Sequence, residues 1–215
     1  MKIAVCIPVH GDTKAMFTLS LAGMMVKTAA LPHNIETFIA QGQILDARNG
    51  LASVALGWGA DWILWLDADQ IFPHDTLIRL LSHGLDIVGS NYPRRRPVGT
   101  PTATKDGRPL YTDECKAKAG LVDEVDSLGL GVCLTRSSVF QAIERPWFNF
   151  EVKPDRSGHI SEDVSFFRAA RRAGIVAHVD HSLSWEVGHI HEQTLTNLMM
   201  RRDYADSVHP SAGAK

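Results

Sequence analysis

Two aspartates one residue apart, Asp67 and Asp69, close an apolar run, Trp62-Ile63-Leu64-Trp65-Leu66. Carboxylates this near repel one another unless a proton or a cation sits between them. A hard divalent cation such as Mg²⁺ or Mn²⁺ takes oxygen ligands, usually one or two carboxylates together with substrate phosphate oxygens. The pair therefore points to a metal–diphosphate site, although a solvated turn can carry the same spacing. His189 and His191 are candidates to join Asp69, because imidazole also ligates Mn²⁺. Arg48 could meet a phosphate with its planar fork, and Arg94, Arg95 and Arg96 offer further cations for an anionic donor or acceptor. Glu162 and Asp163 follow Ser161 at a helix start, where acids favour the positive helix end.

These groups need elements to hold them. The run 62–66 suits a strand buried on both faces of a parallel sheet, and ligands in such sheets bind beyond the carboxyl ends of strands. An earlier strand over 2–7, stopped by Pro8, places His10, Gly11 and Asp12 at a second such end. A helix over 13–30 follows, capped by Thr13 or by Asp12. Next come a strand over 34–40 and a helix over 44–58. Ala47, Leu51, Val54, Ala55 and Trp58 share one face of that helix, with Arg48 and Asn49 off the stripe. A helix after Pro73 ends at Gly84, and a strand covers 86–92. This alternation predicts an α/β fold with a mostly parallel central sheet flanked by helices.

The pattern breaks from Arg94 to about residue 122, where Asp106-Gly107 marks a hairpin turn. A loop this long in a compact domain is usually functional or mobile. The segment 122–135 reads as strand, and its Gly129 and Gly131 imply that another backbone or a ligand approaches closely. It is not a dinucleotide-binding glycine loop, because the spacing and the following element are wrong. Trp147-Phe148-Asn149-Phe150-Glu151 is an aromatic cluster that stacks on a ligand or fills core. A helix over 162–174, a strand over 175–179, a terminal helix over 194–206 and a tail over 207–215 complete the chain.

Composition narrows the classes. The 215 residues suit one domain, expected over 1–206 with a nucleotide-binding half to about 93 and a catalytic, acceptor-facing half beyond. Lys+Arg 22 against Asp+Glu 24 leaves no global field, so strong non-specific affinity for nucleic acid or an anionic membrane is not implied. Three cysteines without a CxxC pair argue against a disulfide framework and for a reducing cytoplasm. No apolar run reaches the length of a membrane span, and the N-terminus does not read as a signal peptide, so no membrane anchor is expected.

Taken together, Ile7-Pro8-Val9-His10-Gly11, Ala47-Arg48-Asn49, Trp65-Leu66-Asp67-Ala68-Asp69, Leu128-Gly129-Leu130-Gly131-Val132, Ser161-Glu162-Asp163-Val164 and Val187-Gly188-His189 occur in a recognisable order. The chain resembles nucleotide-sugar glycosyltransferases of the GT-A fold, of the family 2-like type, over most of its length. The resemblance implies that Pro8, Val9, His10 and Asp12 hold the nucleobase. Ala68, Arg48 and Gly131 then contact the donor, and Asp67 stands at the ribose or in the metal shell. It implies that Asp69 and His189 hold Mn²⁺ or Mg²⁺, and that Asp163, with Glu162 its competitor, is the catalytic base of an inverting enzyme. A UDP-sugar donor is favoured. The short chain favours transfer of one sugar to a soluble acceptor over processive synthesis, with a modified nucleic acid a minor alternative resting on Arg94-Arg95-Arg96. Two other classes use similar parts: a nucleotidyltransferase, although Val9-His10-Gly11-Asp12 lacks its Gly-rich basic loop, and a non-catalytic nucleotide-sugar binding module.

Overall fold

The computed structural model describes residues 1–95 and 100–191. Arg96 and the expected terminal helix and tail lie outside the described residues. The first half comprises β1 (Lys2–Val9), α1 (Ala15–Thr28), β2 (Asn34–Gln41), α2 (Ile44–Trp58), β3 (Trp62–Leu66), β4 (Gln70–Ile71), α3 (Thr76–Ser82) and β5 (Ile87–Gly89). Then come β6 (Thr104–Lys105), β7 (Arg108–Pro109), α4 (Glu114–Lys118), β8 (Val122–Val125), β9 (Val132–Arg136) and α5 (Ser137–Ala142). The described chain closes with β10 (Glu151–Val152), β11 (His159–Ile160), α6 (Glu162–Arg172), β12 (Ala177–Asp180), α7 (His181–Glu186) and β13 (Gly188–His189).

Seven strands form the main sheet in the order β2-β1-β3-β9-β5-β12-β8. β1 runs parallel to β2 and β3, and β12 runs parallel to β5, whereas β9 and β8 run against their neighbours. Five strands thus share one direction, as the alternation of elements implies, and two oppose it. Side chains of successive strand residues point to opposite faces, which divides the core in two. Ala4, Cys6, Ile63, Trp65 and Cys133 face α2, α5 and α6; Ile3, Val5, Ile7, Leu64, Leu66 and Leu134 face α1, α3 and α7. β3 is buried along its whole length because both faces are covered.

Local chemistry explains where elements end. α2 stops at Gly59, whose φ of 81° is the left-handed C-terminal conformation that glycine adopts freely. Asp106 and Gly107, at φ 52° and 69°, make the tight turn between β6 and β7. Several boundaries differ from the sequence reading. β1 continues through Pro8, because its pairing with β3 ends at Cys6 and only the β2 side runs on to Val9. α1 starts at Ala15, and its N-terminal flank Lys14 makes no side-chain cap, so neither Thr13 nor Asp12 serves as one. The segment 122–135 holds two strands: β8 lies at the sheet edge and β9 between β3 and β5. The strand expected over 86–92 pairs only at Ile87–Gly89. On α2, Val54 is exposed, while Arg48 is 4% exposed.

The aromatic cluster divides between core and surface. Trp147 and Phe148 are buried with Phe140 and Phe166 beneath Trp65, with ring centroids 5.3 Å apart for Trp65–Phe148 and 5.0 Å for Phe148–Phe166. Phe150 remains exposed. Asn49 clasps the Phe148 backbone, donating to its carbonyl at 2.8 Å and accepting from its N–H at 3.2 Å. Among the described residues no helix is long and apolar enough to cross a membrane. Because Trp65 is fully buried and its Nε1 donates to Thr135 at 3.2 Å, Trp65→Ala should lower stability by about 3–5 kcal/mol in urea denaturation. A loss under about 1 kcal/mol would show that this side of the core collapses to fill the space.

Candidate active site

β1 has β2 on one side and β3 on the other, so the chain reverses its direction of travel across the sheet at β1. Ligands of open α/β sheets bind in the crevice at such a switch point. A groove of about 910 Å³ lies there, lined by residues that follow the carboxyl ends of these three strands. Pro8, Val9, His10, Asp12 and Lys14 come from the end of β1 and the loop after it; Gly42, Gln43 and Ile44 follow β2; Asp67, Ala68 and Asp69 follow β3. Arg95, His189, Ile190 and His191 close the far side.

His189 reaches the acids through backbone pairing. β13 runs antiparallel to β4 with His189 opposite Gln70, and the Ile190 N–H donates to the Asp69 carbonyl at 2.8 Å. This leaves His189 Nε2 3.6 Å from Asp69 Oδ1. His189 Nδ1 lies 2.9 Å from the Pro93 carbonyl, which can only accept, so Nδ1 carries the proton and Nε2 presents its lone pair. Burial pushes the imidazole pKa down and the nearby Arg95 cation adds to this, in spite of the Pro93 carbonyl. The ring is therefore held neutral with its free nitrogen toward Asp69, the orientation that metal-ligating histidines take.

The corner between Asp69 and His189 already holds a positive charge. The Arg95 guanidinium is ion-paired to Asp69, and its Nε donates to His189 Nε2 at 2.9 Å. Among the described residues no three His, Cys, Asp or Glu side chains converge as a metal cage. A hard divalent cation does not need one, since it completes its shell with substrate phosphate oxygens and water. Asp69 and His189 thus fit such an ion as a two-residue platform, at a place where Arg95 shows that a cation is favoured.

Behind the groove wall lies the strongest electrostatic contact of the site. Arg48 donates to both oxygens of Asp67, at 3.0 and 3.2 Å, and to Glu162 at 2.9 Å. Burial pulls the Arg48 pKa down, but Asp67 and Glu162 outweigh it and the net direction is up. Burial raises the Glu162 pKa, and this prevails over the opposing pull of Arg48. The Asp67 N–H donates to the Gly131 carbonyl at 2.9 Å, and the Gly131 N–H donates to Tyr92 Oη at 2.9 Å. A methyl group at Gly131 would sit 2.6 Å from that hydroxyl, so the close approach here is made by a side chain and not by the backbone or ligand that the glycines suggest.

The structure therefore gathers Pro8, Val9, His10, Asp12, Asp67, Ala68, Asp69 and His189 around one groove. Arg48 and Gly131 stand behind that wall, and Arg48 spends its fork on two carboxylates rather than on open space. Glu162 and Asp163 open α6 outside the groove lining. The Ser161 hydroxyl donates to Asp163 instead of capping the helix, and Asp163 also accepts from the Val164 N–H at 2.7 Å. Sequence reasoning did not single out Lys14, Gly42–Ile44 or Tyr92. The segment after β2 was findable, since it follows a parallel strand's carboxyl end. Nothing local marks Tyr92, which joins the site only through packing.

No protein-family model matches the chain, and none of the curated proteins compared with it does either. Solved structures do resemble it. A197 from STIV is 16% identical over 92% of this chain and 99% of that one, with a TM-score of 0.57. A Drosophila β1,4-galactosyltransferase 7 mutant, in complex with manganese, UDP-Gal and xylobiose, is 14% identical over 93% of this chain and 78% of that one, with a TM-score of 0.53. The inositol-1-phosphate CTP transferase of T. maritima is 10% identical over 96% of both chains, with a TM-score of 0.50. At these identities the likeness establishes the fold, which is GT-A-like, and not the reaction.

Removing the Arg48 fork leaves two part-buried carboxylates facing each other. Arg48→Met should cost about 3–5 kcal/mol in urea denaturation, and Arg48→Lys should recover only part of it, because one ammonium cannot match both carboxylates. Equal stability of Arg48→Met and wild type would refute the role given to this contact.

Proposed function

We propose that the protein is a glycosyltransferase that moves one sugar from a nucleoside-diphosphate sugar, a UDP-sugar being favoured, to an acceptor hydroxyl with inversion. The observation that carries this reading is the groove at the β1 switch point, where Asp69 and His189 converge on a corner that favours a cation. Pro8, Val9, His10 and Asp12 form the wall suited to the nucleoside, with Asp67 beside the ribose. Mn²⁺ or Mg²⁺ held by Asp69 and His189 would act as a Lewis acid toward the departing diphosphate. Asp163 accepts the proton of the acceptor hydroxyl as that oxygen bonds to the anomeric carbon, while the bond from that carbon to the diphosphate breaks and its electron pair leaves with the phosphate. One displacement of this kind inverts the anomeric centre. Glu162 is engaged by Arg48 and tied to Asp67 through it, which supports Asp163 over its competitor Glu162 as the base. A nucleotidyltransferase is the second reading, supported by the likeness to the T. maritima CTP transferase.

Thermal unfolding with a panel of nucleoside di- and triphosphates, each with and without Mn²⁺, tests both. UDP with Mn²⁺ at about 100 times its Kd should add roughly 2.7 kcal/mol of stability, and Asp69→Ala should abolish the metal-dependent part. Asp163→Asn should keep that shift and lower sugar transfer by about 10²–10⁴-fold. A shift confined to CTP would favour the second reading, and an anomer-retained product would remove Asp163 from the role of base in a single displacement.

Because Arg95 holds the corner assigned to the metal, Arg95→Ala should bind Mn²⁺ several-fold more tightly than wild type when no nucleotide is present. Electron paramagnetic resonance of free Mn²⁺ reads this directly. Unchanged or weaker binding would show that the guanidinium does not compete with the ion.

A further inference from the structure

A second recess, of about 270 Å³, opens beside the donor groove. Three segments build it: Asn91–Pro93 after β5, Tyr111 and Thr112 ahead of α4, and Ser184, Trp185 and Val187 at the end of α7, with Pro101 completing the rim. Among the described residues its lining contains no charged side chain, whereas the donor groove is lined by Asp12, Lys14, Asp67, Asp69 and Arg95. Two large rings in it are left in water: Tyr111 is 59% exposed and Trp185 56% exposed. The polar groups around them are hydroxyls and an amide, and they are held in place by the protein itself. The Asn91 amide donates to the Leu110 carbonyl at 2.7 Å and to Thr112 at 3.4 Å. Ser184 Oγ accepts from the Asn91 N–H at 2.8 Å and donates to the Asp180 carbonyl at 2.5 Å.

The two pockets share a wall. The Tyr92 ring lines the recess and meets the His189 ring edge to face, with centroids 5.4 Å apart. Pro93 also lines the recess, and its carbonyl holds His189 Nδ1 at 2.9 Å. Val187 lies in the recess two residues before His189. A molecule filling the recess is therefore separated from the donor groove by little more than one tyrosine and one proline.

This chemistry selects a ligand class. A sugar ring presents an apolar C–H face and a rim of neutral hydroxyls, which match a flat aromatic surface bordered by hydroxyl and amide groups. A nucleic acid would need cations for its phosphates. The nearby Lys116 donates to the Tyr111 carbonyl at 3.0 Å, and Arg79 is bound to Glu186 at 2.7 Å. We propose that this recess is an acceptor subsite that stacks a neutral sugar of an oligosaccharide on Trp185 and Tyr111, at least one unit away from the hydroxyl that receives the transferred sugar. The inference rests on the donor-groove reading, since it is that groove which makes the neighbouring ligand an acceptor.

The test follows the Trp185 indole N–H resonance, identified by its loss in Trp185→Phe, while neutral di- to tetrasaccharides of xylose, glucose, galactose, mannose and N-acetylglucosamine and a single-stranded DNA oligonucleotide are titrated in turn. UDP with Mn²⁺ is measured on the same samples by thermal unfolding. One neutral series should move the resonance, with an affinity unchanged between about 0.05 and about 0.5 M salt. Tyr111→Ala should weaken that binding by about tenfold on the same resonance, and Trp185→Ala should do so by isothermal titration calorimetry with the same sugar; both should keep the UDP shift, and both side chains are exposed, so both variants should fold. Silence toward every sugar while the UDP shift is intact overturns this inference and leaves the donor groove standing. Salt-sensitive binding of the oligonucleotide in place of a sugar also overturns it, in favour of a nucleic-acid acceptor. Absence of the UDP shift in the wild type removes the donor reading, and the assignment of an acceptor falls with it.

Discussion

A buried guanidinium bound by two carboxylates is the contact on which the rest of the site depends. Arg48 lies on α2, Asp67 at the end of β3 and Glu162 at the start of α6. One side chain therefore joins three elements that are far apart in sequence. Taking these charges out of water is costly, and the bonds from the two terminal nitrogens of Arg48 to Asp67 and Glu162 offset that cost, although Arg48 Nε is buried without a partner among the described residues. Beside this contact, Asp69 and the lone pair of His189 Nε2 form a corner that takes a cation. In this structure Arg95 supplies it.

Geometry at that corner comes from backbone rather than from side-chain attraction. The two-residue pairing of β13 with β4 and the bond from Ile190 to the Asp69 carbonyl bring His189 to the acids. The Pro93 carbonyl then chooses the tautomer. The same Pro93 and the neighbouring Tyr92 form the wall of the second recess. Among the described residues, ionisable groups gather in the groove at the β1 switch point, and rings with hydroxyls gather in the recess across that wall. Tyr92 links the two, since its hydroxyl receives the Gly131 N–H and Gly131 in turn holds Asp67.

Much of this was legible in the chain. The apolar run at 62–66 identified the central strand, because only a strand covered on both faces can be apolar throughout. Alternating strand and helix patterns predicted the parallel half of the sheet, and the rule for carboxyl ends located Pro8–Asp12 and Asp67–Asp69 together. The two glycines before β9 announced a close approach by a backbone or a ligand, and the Tyr92 side chain makes it instead. Arg48 was the informative failure. It lies off the apolar stripe of α2 and reads as a solvated or phosphate-seeking side chain, yet it is buried. A local pattern cannot register that Glu162, over a hundred residues away, will meet it.

By itself the sequence determined the alternation that gives β1, β2, β3 and β5 with the helices between them, which of those ends carry ionisable groups, and that the long stretch after Arg94 would not continue the alternation. These are matters of period, caps and breakers, all of which act within a few residues. Only the tertiary structure decided that β9 would insert between β3 and β5, that His189 would pair beside Asp69, that Arg95 would occupy the cation corner, and that Tyr111 and Trp185 would share a recess with no charged side chain among its described lining residues. Each of those outcomes depends on which distant surfaces exclude water together. Hydrophobic burial is non-directional, and the pairing of buried charges depends on the whole arrangement, so neither is written in any short stretch of the chain.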